Sequence, residues 1–250
     1  VSRGWKTHGL GALVALVAAC HEAPMPAADP ARFVERVVAA RRTLPGAPPP
    51  LLVLLHGIGA DENDLIDLAP ALDPRFTVVS VRAPRSYHMG YAWFQIDWRP
   101  DGSIVPDVAQ ARETLADLVR WLAAAPARLG ADPARLYLLG FSQGAMMSLG
   151  VLRTAPERLA GAVALSGFFD DSLLPASAPA SAIARVPLFI AHGTRDDVLP
   201  IARGRAVRDV FQPLVRDLTY REYPVAHGIA PDELRDVAAW LTARLDEPRP

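Results

Sequence analysis

Short hydrophobic runs, several of them apolar throughout, alternate along the chain with longer stretches in which apolar residues recur at helical spacing. The runs at 51–55, 77–81, 136–139, 161–165, 188–191 and 218–223 predict strands, because a strand covered on both faces has no polar side to alternate with. Between them, residues 109–125 set Ala116, Val119 and Leu122 on one stripe, and residues 231–245 do the same for Leu234, Val237, Ala238 and Leu241. Residues 145–153 also read as a helix. Strands separated by helix-length segments imply an α/β fold: a mostly parallel central sheet flanked by helices on both faces. Residues 32–42 fit a helix or a strand, and periodicity does not decide. The acidic cluster Asp61-Glu62-Asn63-Asp64 predicts a helix start, with the helix ending near Pro70. No internal repeat is present.

Composition narrows the picture. With 250 residues, 51% of them hydrophobic, the chain can build one sizeable core, expected over residues 28–250 as a single domain. A net charge of −1, with no basic run, argues against a nucleic-acid partner. The single cysteine, Cys20, excludes an intramolecular disulfide and a thiolate-rich metal cluster. Around it the sequence changes character: Arg3 and Lys6 precede an apolar run at 10–19, and Pro/Ala-rich sequence follows. That order is the layout of a secretory signal, too short to span a bilayer. Val17-Ala18-Ala19-Cys20 resembles a bacterial lipobox, so residues 1–27 are expected to be a lipoprotein-type signal and linker. Membrane attachment would then run through an acylated Cys20 in the envelope. The competing reading, upstream sequence translated from a misassigned start, makes the protein cytoplasmic.

The chemistry centres on Gly140-Phe141-Ser142-Gln143-Gly144, which falls between a predicted strand and a predicted helix. This is the pattern of a nucleophile elbow, where the serine hydroxyl is exposed on a sharp strand-to-helix bend. A neutral alcohol is a poor nucleophile, so Ser142 needs a base, and the base needs a group that sets its tautomer. On a hydrolase sheet of this kind the order is serine, acid, histidine. His227 satisfies it, whereas His192 precedes the candidate acids. Asp196 and Asp197 are both candidates, and residue chemistry alone leaves the choice open. His192 and His56, each following a strand and preceding a glycine, read as structural hydrogen-bonding groups.

A developing oxyanion needs preorganised donors, expected from the backbone N–H of Gln143 at the helix start and of Ile58 in the loop after the first predicted strand. Two stretches without strong regular signals, 83–106 and 168–182, are expected to line a substrate pocket through Met89, Trp93, Phe94 and Phe168. Gly57-Ile58-Gly59 carries Glu62 where a dinucleotide fingerprint needs its third glycine, and there is no His-Glu-x-x-His or calcium-loop spacing.

Several separated blocks resemble the phospholipase/carboxylesterase family of α/β-hydrolases, which includes acyl-protein thioesterases and small carboxylesterases. They are Leu55-His56-Gly57-Ile58-Gly59-Ala60-Asp61-Glu62-Asn63-Asp64-Leu65, Arg82-Ala83-Pro84-Arg85, Ala92-Trp93-Phe94, Gly140-Phe141-Ser142-Gln143-Gly144-Ala145 and His192-Gly193-Thr194-Arg195-Asp196. The resemblance implies an α/β-hydrolase fold without a large lid domain. It also implies nucleophile Ser142, acid Asp196 rather than Asp197, base His227 and oxyanion donors Ile58 and Gln143. The implied reaction is hydrolysis of small to medium acyl esters or thioesters, with no metal or organic cofactor. The chain departs from the family pattern at Gln95 and Asp97 after Trp-Phe, at Asp197 and Leu199, and at Ala226. A homodimer through exposed apolar loops is a further expectation. The competing class is a noncatalytic ligand-binding or envelope-interaction protein on the same scaffold.

Overall fold

The computed structural model describes residues 33–42, 46–100, 103–174 and 177–247. Cys20 and the expected signal segment lie outside them. In chain order the elements are β1 (Glu35–Val38), β2 (Leu51–Leu55), β3 (Thr77–Val81), β4 (Arg85–Tyr87), β5 (Gly90–Ala92), β6 (Ile96–Trp98) and β7 (Ile104–Pro106). There follow α1 (Val108–Arg128), β8 (Leu136–Phe141), α2 (Gln143–Thr154), β9 (Gly161–Leu165), α3 (Ala180–Ile183), β10 (Leu188–Gly193), α4 (Ala202–Phe211), β11 (Leu218–Tyr223) and α5 (Pro231–Asp246).

Seven strands form one sheet in the order β1-β3-β2-β8-β9-β10-β11. All neighbours in it are parallel except the β1–β3 pair. Alternate side chains of the same strand serve two cores. Leu51, Val53 and Leu55 face the layer that contains α1, α2 and α4, while Leu52 and Leu54 face α5 and the 3-10 helix Ile66–Ala71. This double coverage is why β2, β9 and β10 are buried at every position and read as unbroken apolar runs. Among the described residues there is no large lid, and no helix is long and apolar enough to cross a membrane.

Local deviations have identifiable causes. The ambiguous segment at 32–42 contributes β1, an edge strand that pairs Glu35 with Val81 and Val38 with Val78. Its own pattern is only half-buried, so pairing with β3 rather than periodicity selects the strand. No α-helix starts at the acidic cluster. The Asp61 carboxylate accepts from the Asn63 N–H at 2.8 Å, closing a local turn, and Pro70 lies within the 3-10 helix that follows. The buried stripe of α1 runs through Ala111, Leu115, Leu118, Leu122 and Ala125, with Val119 only partly buried. Trp121, adjacent to that stripe, is buried too and turns the inward face by one position from the expected one. On α5 the stripe is Val237, Trp240, Leu241 and Leu245, with Leu234 and Ala238 at its border.

Candidate active site

β8 stops at Phe141 and α2 starts at Gln143, which leaves Ser142 alone at the bend with φ 53° and ψ −116°. A left-handed φ on a residue with a Cβ costs about 1–3 kcal/mol and persists only where its surroundings over-determine it. Two glycines supply that constraint. A Cβ on Gly144 would lie 1.9 Å from the Leu55 carbonyl oxygen, and one on Gly140 would lie 2.2 Å from the Gly144 oxygen. The bend can therefore close only with bare backbone at both places. The Ser142 N–H donates to the Leu165 carbonyl at 2.8 Å, tying the bend to the end of β9.

Because β8, β9, β10 and β11 are parallel, their carboxyl ends open on one edge, and three loops meet there. Asp196 follows β10, and His227 lies between β11 and α5. Backbone bonds from Thr194 N–H to Tyr223 O at 2.7 Å and from Arg195 N–H to Val225 O at 3.1 Å hold the two loops together. Nε2 of His227 stands 2.9 Å from Ser142 Oγ, and its Nδ1 stands 2.7 Å from Asp196 Oδ2. A carboxylate only accepts, so Nδ1 carries the ring proton and Nε2 is left to accept from the serine hydroxyl. The Phe141 ring packs on the imidazole at 5.0 Å.

The structure separates the two adjacent acids. Asp196 is 7% exposed and Asp197 is exposed. Oδ1 of Asp196 accepts from the N–H groups of Val198 and Leu199 at 3.0 and 2.8 Å. His192, fully buried, donates from Nε2 to the Leu199 carbonyl at 2.7 Å and approaches Asp196 Oδ2 at 3.4 Å. His56 is also fully buried. Its Nδ1 donates to Gly57 O at 2.6 Å and its Nε2 accepts from the Ala83 N–H at 3.0 Å. Burial keeps its pKa below the ordinary imidazole value, which favours this neutral bridge between the loops after β2 and β3.

The first of those loops is pinned further. Arg82 forks onto Glu62 at 2.5 and 2.6 Å, and the bonded guanidinium holds the Glu62 carboxyl below its usual range. Gly59 N–H donates to Tyr91 O at 2.8 Å. No hydrogen bond among the described residues uses the N–H of Ile58 or of Gln143, and both residues border the cavity that opens over Ser142.

That cavity, of about 230 Å³, also involves Ile96, Trp98, Ile104 and Phe168. Of the four expected pocket residues only Phe168 is among its walls. Met89 is fully exposed at the β4–β5 turn, because the register that pairs Tyr87 with Gly90 leaves it outside the hairpin. Trp93 is fully buried against Phe33, and its indole N–H donates to His56 O at 2.8 Å. Phe94 is fully buried and borders a separate small void. The Gln143 amide holds that corner, accepting from Trp93 N–H at 2.8 Å and donating to Phe94 O at 2.7 Å. Among the walls not expected from the sequence, Ile96, Trp98 and Ile104 sit on the β6–β7 hairpin, where Trp98 pairs with Ile104. The i, i+2 spacing of Ile96 and Trp98 was the available signal.

Behind the His227 loop, Glu233 in the first turn of α5 is 1% exposed. Its Oε2 accepts from Ala230 N–H at 3.2 Å, and its Oε1 has no partner among the described residues. Burial, opposed only by that hydrogen bond, lifts its pKa to about 7. Between ~4.3, the value expected of the unfolded chain, and about 7, the folded protein holds a proton that the unfolded chain has released. Stability therefore falls as pH rises through this window. Urea melts at pH 5 and pH 8 are expected to show wild type losing roughly 2 kcal/mol more than Glu233→Gln over that interval. Parallel losses in the two proteins would contradict the assignment.

A mostly parallel sheet with helices on both faces and a serine on the strand-to-helix bend at its carboxyl edge defines an α/β-hydrolase. The family model for Phospholipase/Carboxylesterase matches residues 42–245, and the chain belongs to that family. An acyl-protein thioesterase 1 of Saccharomyces cerevisiae is 32% identical over 119 residues, 46% of this chain and 52% of that protein. The chain spans about half the length of this and two further fungal acyl-protein thioesterases. Among solved structures, esterase PE8 is 32% identical, with a TM-score of 0.67 over 85% of this chain and 99% of that one. The carboxylesterase of Bacillus cereus shares the fold, with a TM-score of 0.73 at 22% identity over 86% of this chain and 95% of that one.

Proposed function

We propose that the chain is a serine hydrolase that cleaves small to medium acyl esters or thioesters through an acyl-enzyme. The observation that carries this reading is the continuous contact from Ser142 Oγ to His227 Nε2 at 2.9 Å and from His227 Nδ1 to Asp196 Oδ2 at 2.7 Å. Ser142 Oγ attacks the acyl carbonyl carbon while its proton passes to His227 Nε2. Asp196 holds the ring and stabilises the imidazolium that forms. The carbonyl oxygen becomes an oxyanion, stabilised by the free N–H groups of Ile58 and Gln143, the latter at the positive end of α2. When the tetrahedral intermediate collapses, His227 returns the proton to the departing alcohol or thiol. Water then repeats the sequence on the acyl-serine.

The kinship with a family that includes proteins named carboxylesterase and acyl-protein thioesterase supports the ester and thioester class. The cavity of about 230 Å³ lies below the roughly 300–1,000 Å³ of sites for drug-sized ligands, which supports a modest acyl group. A fluorophosphonate probe is expected to label the folded protein at Ser142, read by peptide mapping. Folded protein left unlabelled would support the noncatalytic reading instead.

A further inference from the structure

The cavity over Ser142 is not the only apolar space on this side of the sheet. A smaller void of about 10 Å³ lies behind it, bordered by Phe94, Leu115, Met147, Gly150, Phe169 and Leu174 among others. Two residues, Met146 and Phe168, border both spaces. Met146 lies in the first turn of α2, four positions after Ser142, and both residues line the cavity. Phe168 comes from the segment after β9, just beyond Ser166, whose φ of 49° is held in the left-handed region.

The segment that covers the void is fastened from outside. The Arg203 guanidinium lies over the Phe168 ring at 5.5 Å, and that of Arg153 lies over the Phe169 ring at 5.7 Å. Arg153 also pairs with Asp171 at 3.1 Å, and Arg112 donates to the Ser172 carbonyl at 2.9 Å. Phe168 is thus held in place from the surface, whereas Met146 is an unbranched thioether that can change shape at low cost.

We propose that Met146 and Phe168 are the specificity-determining floor of the acyl site. They end the path available to an acyl chain bonded to Ser142, and the void behind them is the continuation of that path once either side chain is shortened. The inference rests on the serine hydrolase reading. An acyl chain turned down from the acyl carbon bonded to Ser142 Oγ meets the Met146 thioether within one helical turn. A longer chain must then leave its end in water or displace the floor. Each methylene newly admitted to apolar surroundings raises kcat/KM about fourfold. Met146→Ala removes three heavy atoms, space for roughly that many methylenes.

The test is a p-nitrophenyl ester series from acetyl to decanoyl on wild type, Met146→Ala and Phe168→Ala. The decanoyl-to-butanoyl ratio of kcat/KM is expected to rise roughly 15- to 60-fold in Met146→Ala, by two to three methylenes at about fourfold each, and at least as far in Phe168→Ala, which removes a larger side chain. Phe168→Leu, which keeps a buried apolar side chain, is expected to shift the ratio in the same direction by a smaller factor. It provides the reading if an alanine variant does not fold. An active wild type whose ratio is unchanged in every folded variant would overturn the floor and leave the hydrolase reading standing. A wild type that turns over none of the esters would overturn both.

Discussion

Ser142→Ala is expected to lower ester turnover by about 10⁵- to 10⁶-fold, the scale seen when a nucleophile is taken from an assembled triad. The side chain lost is one oxygen, and that oxygen forms the covalent bond to the acyl group in the proposed reaction. What remains, the Ile58 and Gln143 N–H groups and the cavity, can still orient an ester and stabilise charge on it. Attack must then come from water, and the residue of catalysis expected is about 10³–10⁴-fold over the uncatalysed rate. The fold should be indifferent to the change. Ser142 caps α2 through no side-chain hydrogen bond, and alanine keeps the Cβ already accommodated at φ 53°. Turnover of p-nitrophenyl acetate, measured beside a thermal melt, checks both halves. Activity within a hundredfold of wild type in a folded variant would refute the nucleophile assignment.

Asp196→Asn is expected to lower kcat by about 10⁴-fold, while Asp197→Asn leaves it within about twofold. The contrast follows from the bonds around the buried carboxylate. Oδ1 accepts from two backbone N–H groups, those of Val198 and Leu199. An asparagine would keep its carbonyl oxygen there and turn its NH₂ toward His227, now 2.7 Å from Oδ2. The imidazole would have to accept at Nδ1 and carry its proton on Nε2, facing Ser142 with a donor where an acceptor is needed. Asp197 is exposed, with no comparable bonds among the described residues to rearrange. A steady-state comparison of the two variants decides the matter, and equal losses would show that the buried acid has no special role. The loss in Asp196→Asn should lie in kcat, because the walls of the proposed substrate cavity are left in place.

The chain's local signals carried far because its core strands are covered on both faces. A run such as Leu51–Leu55, with every position buried, leaves little room for another reading. The elbow was legible for a similar reason: the two glycines, the serine and the flanking strand and helix are contiguous, so the constraint that shapes Ser142 is local. The histidine proposed as base followed from chain order. These arguments failed where an element is shaped by its neighbours. Residues 35–38 become a strand because β3 offers an unpaired edge. The acids at 61–64 make a turn and an ion pair with Arg82, rather than a helix start.

The pocket shows the boundary most plainly. Met89, Trp93, Phe94 and Trp98 belong to one stretch rich in large apolar residues, and nothing in their identities says which of them meets substrate. Pairing within two short hairpins sends Met89 into solvent, Trp93 onto His56 and Phe94 toward the inner void, and brings Ile96, Trp98 and Ile104 to the cavity. From the sequence alone came six of the sheet's seven strands, the bend, the serine and the histidine, since each depends on neighbours in the chain or on their order along it. The burial that sets Asp196 apart from Asp197, the hydrogen bonds that set the tautomer of His227, and the lining of the cavity were decided only by the tertiary structure. Burial and hydrogen-bond direction are set by residues far away in sequence, and no local pattern carries them.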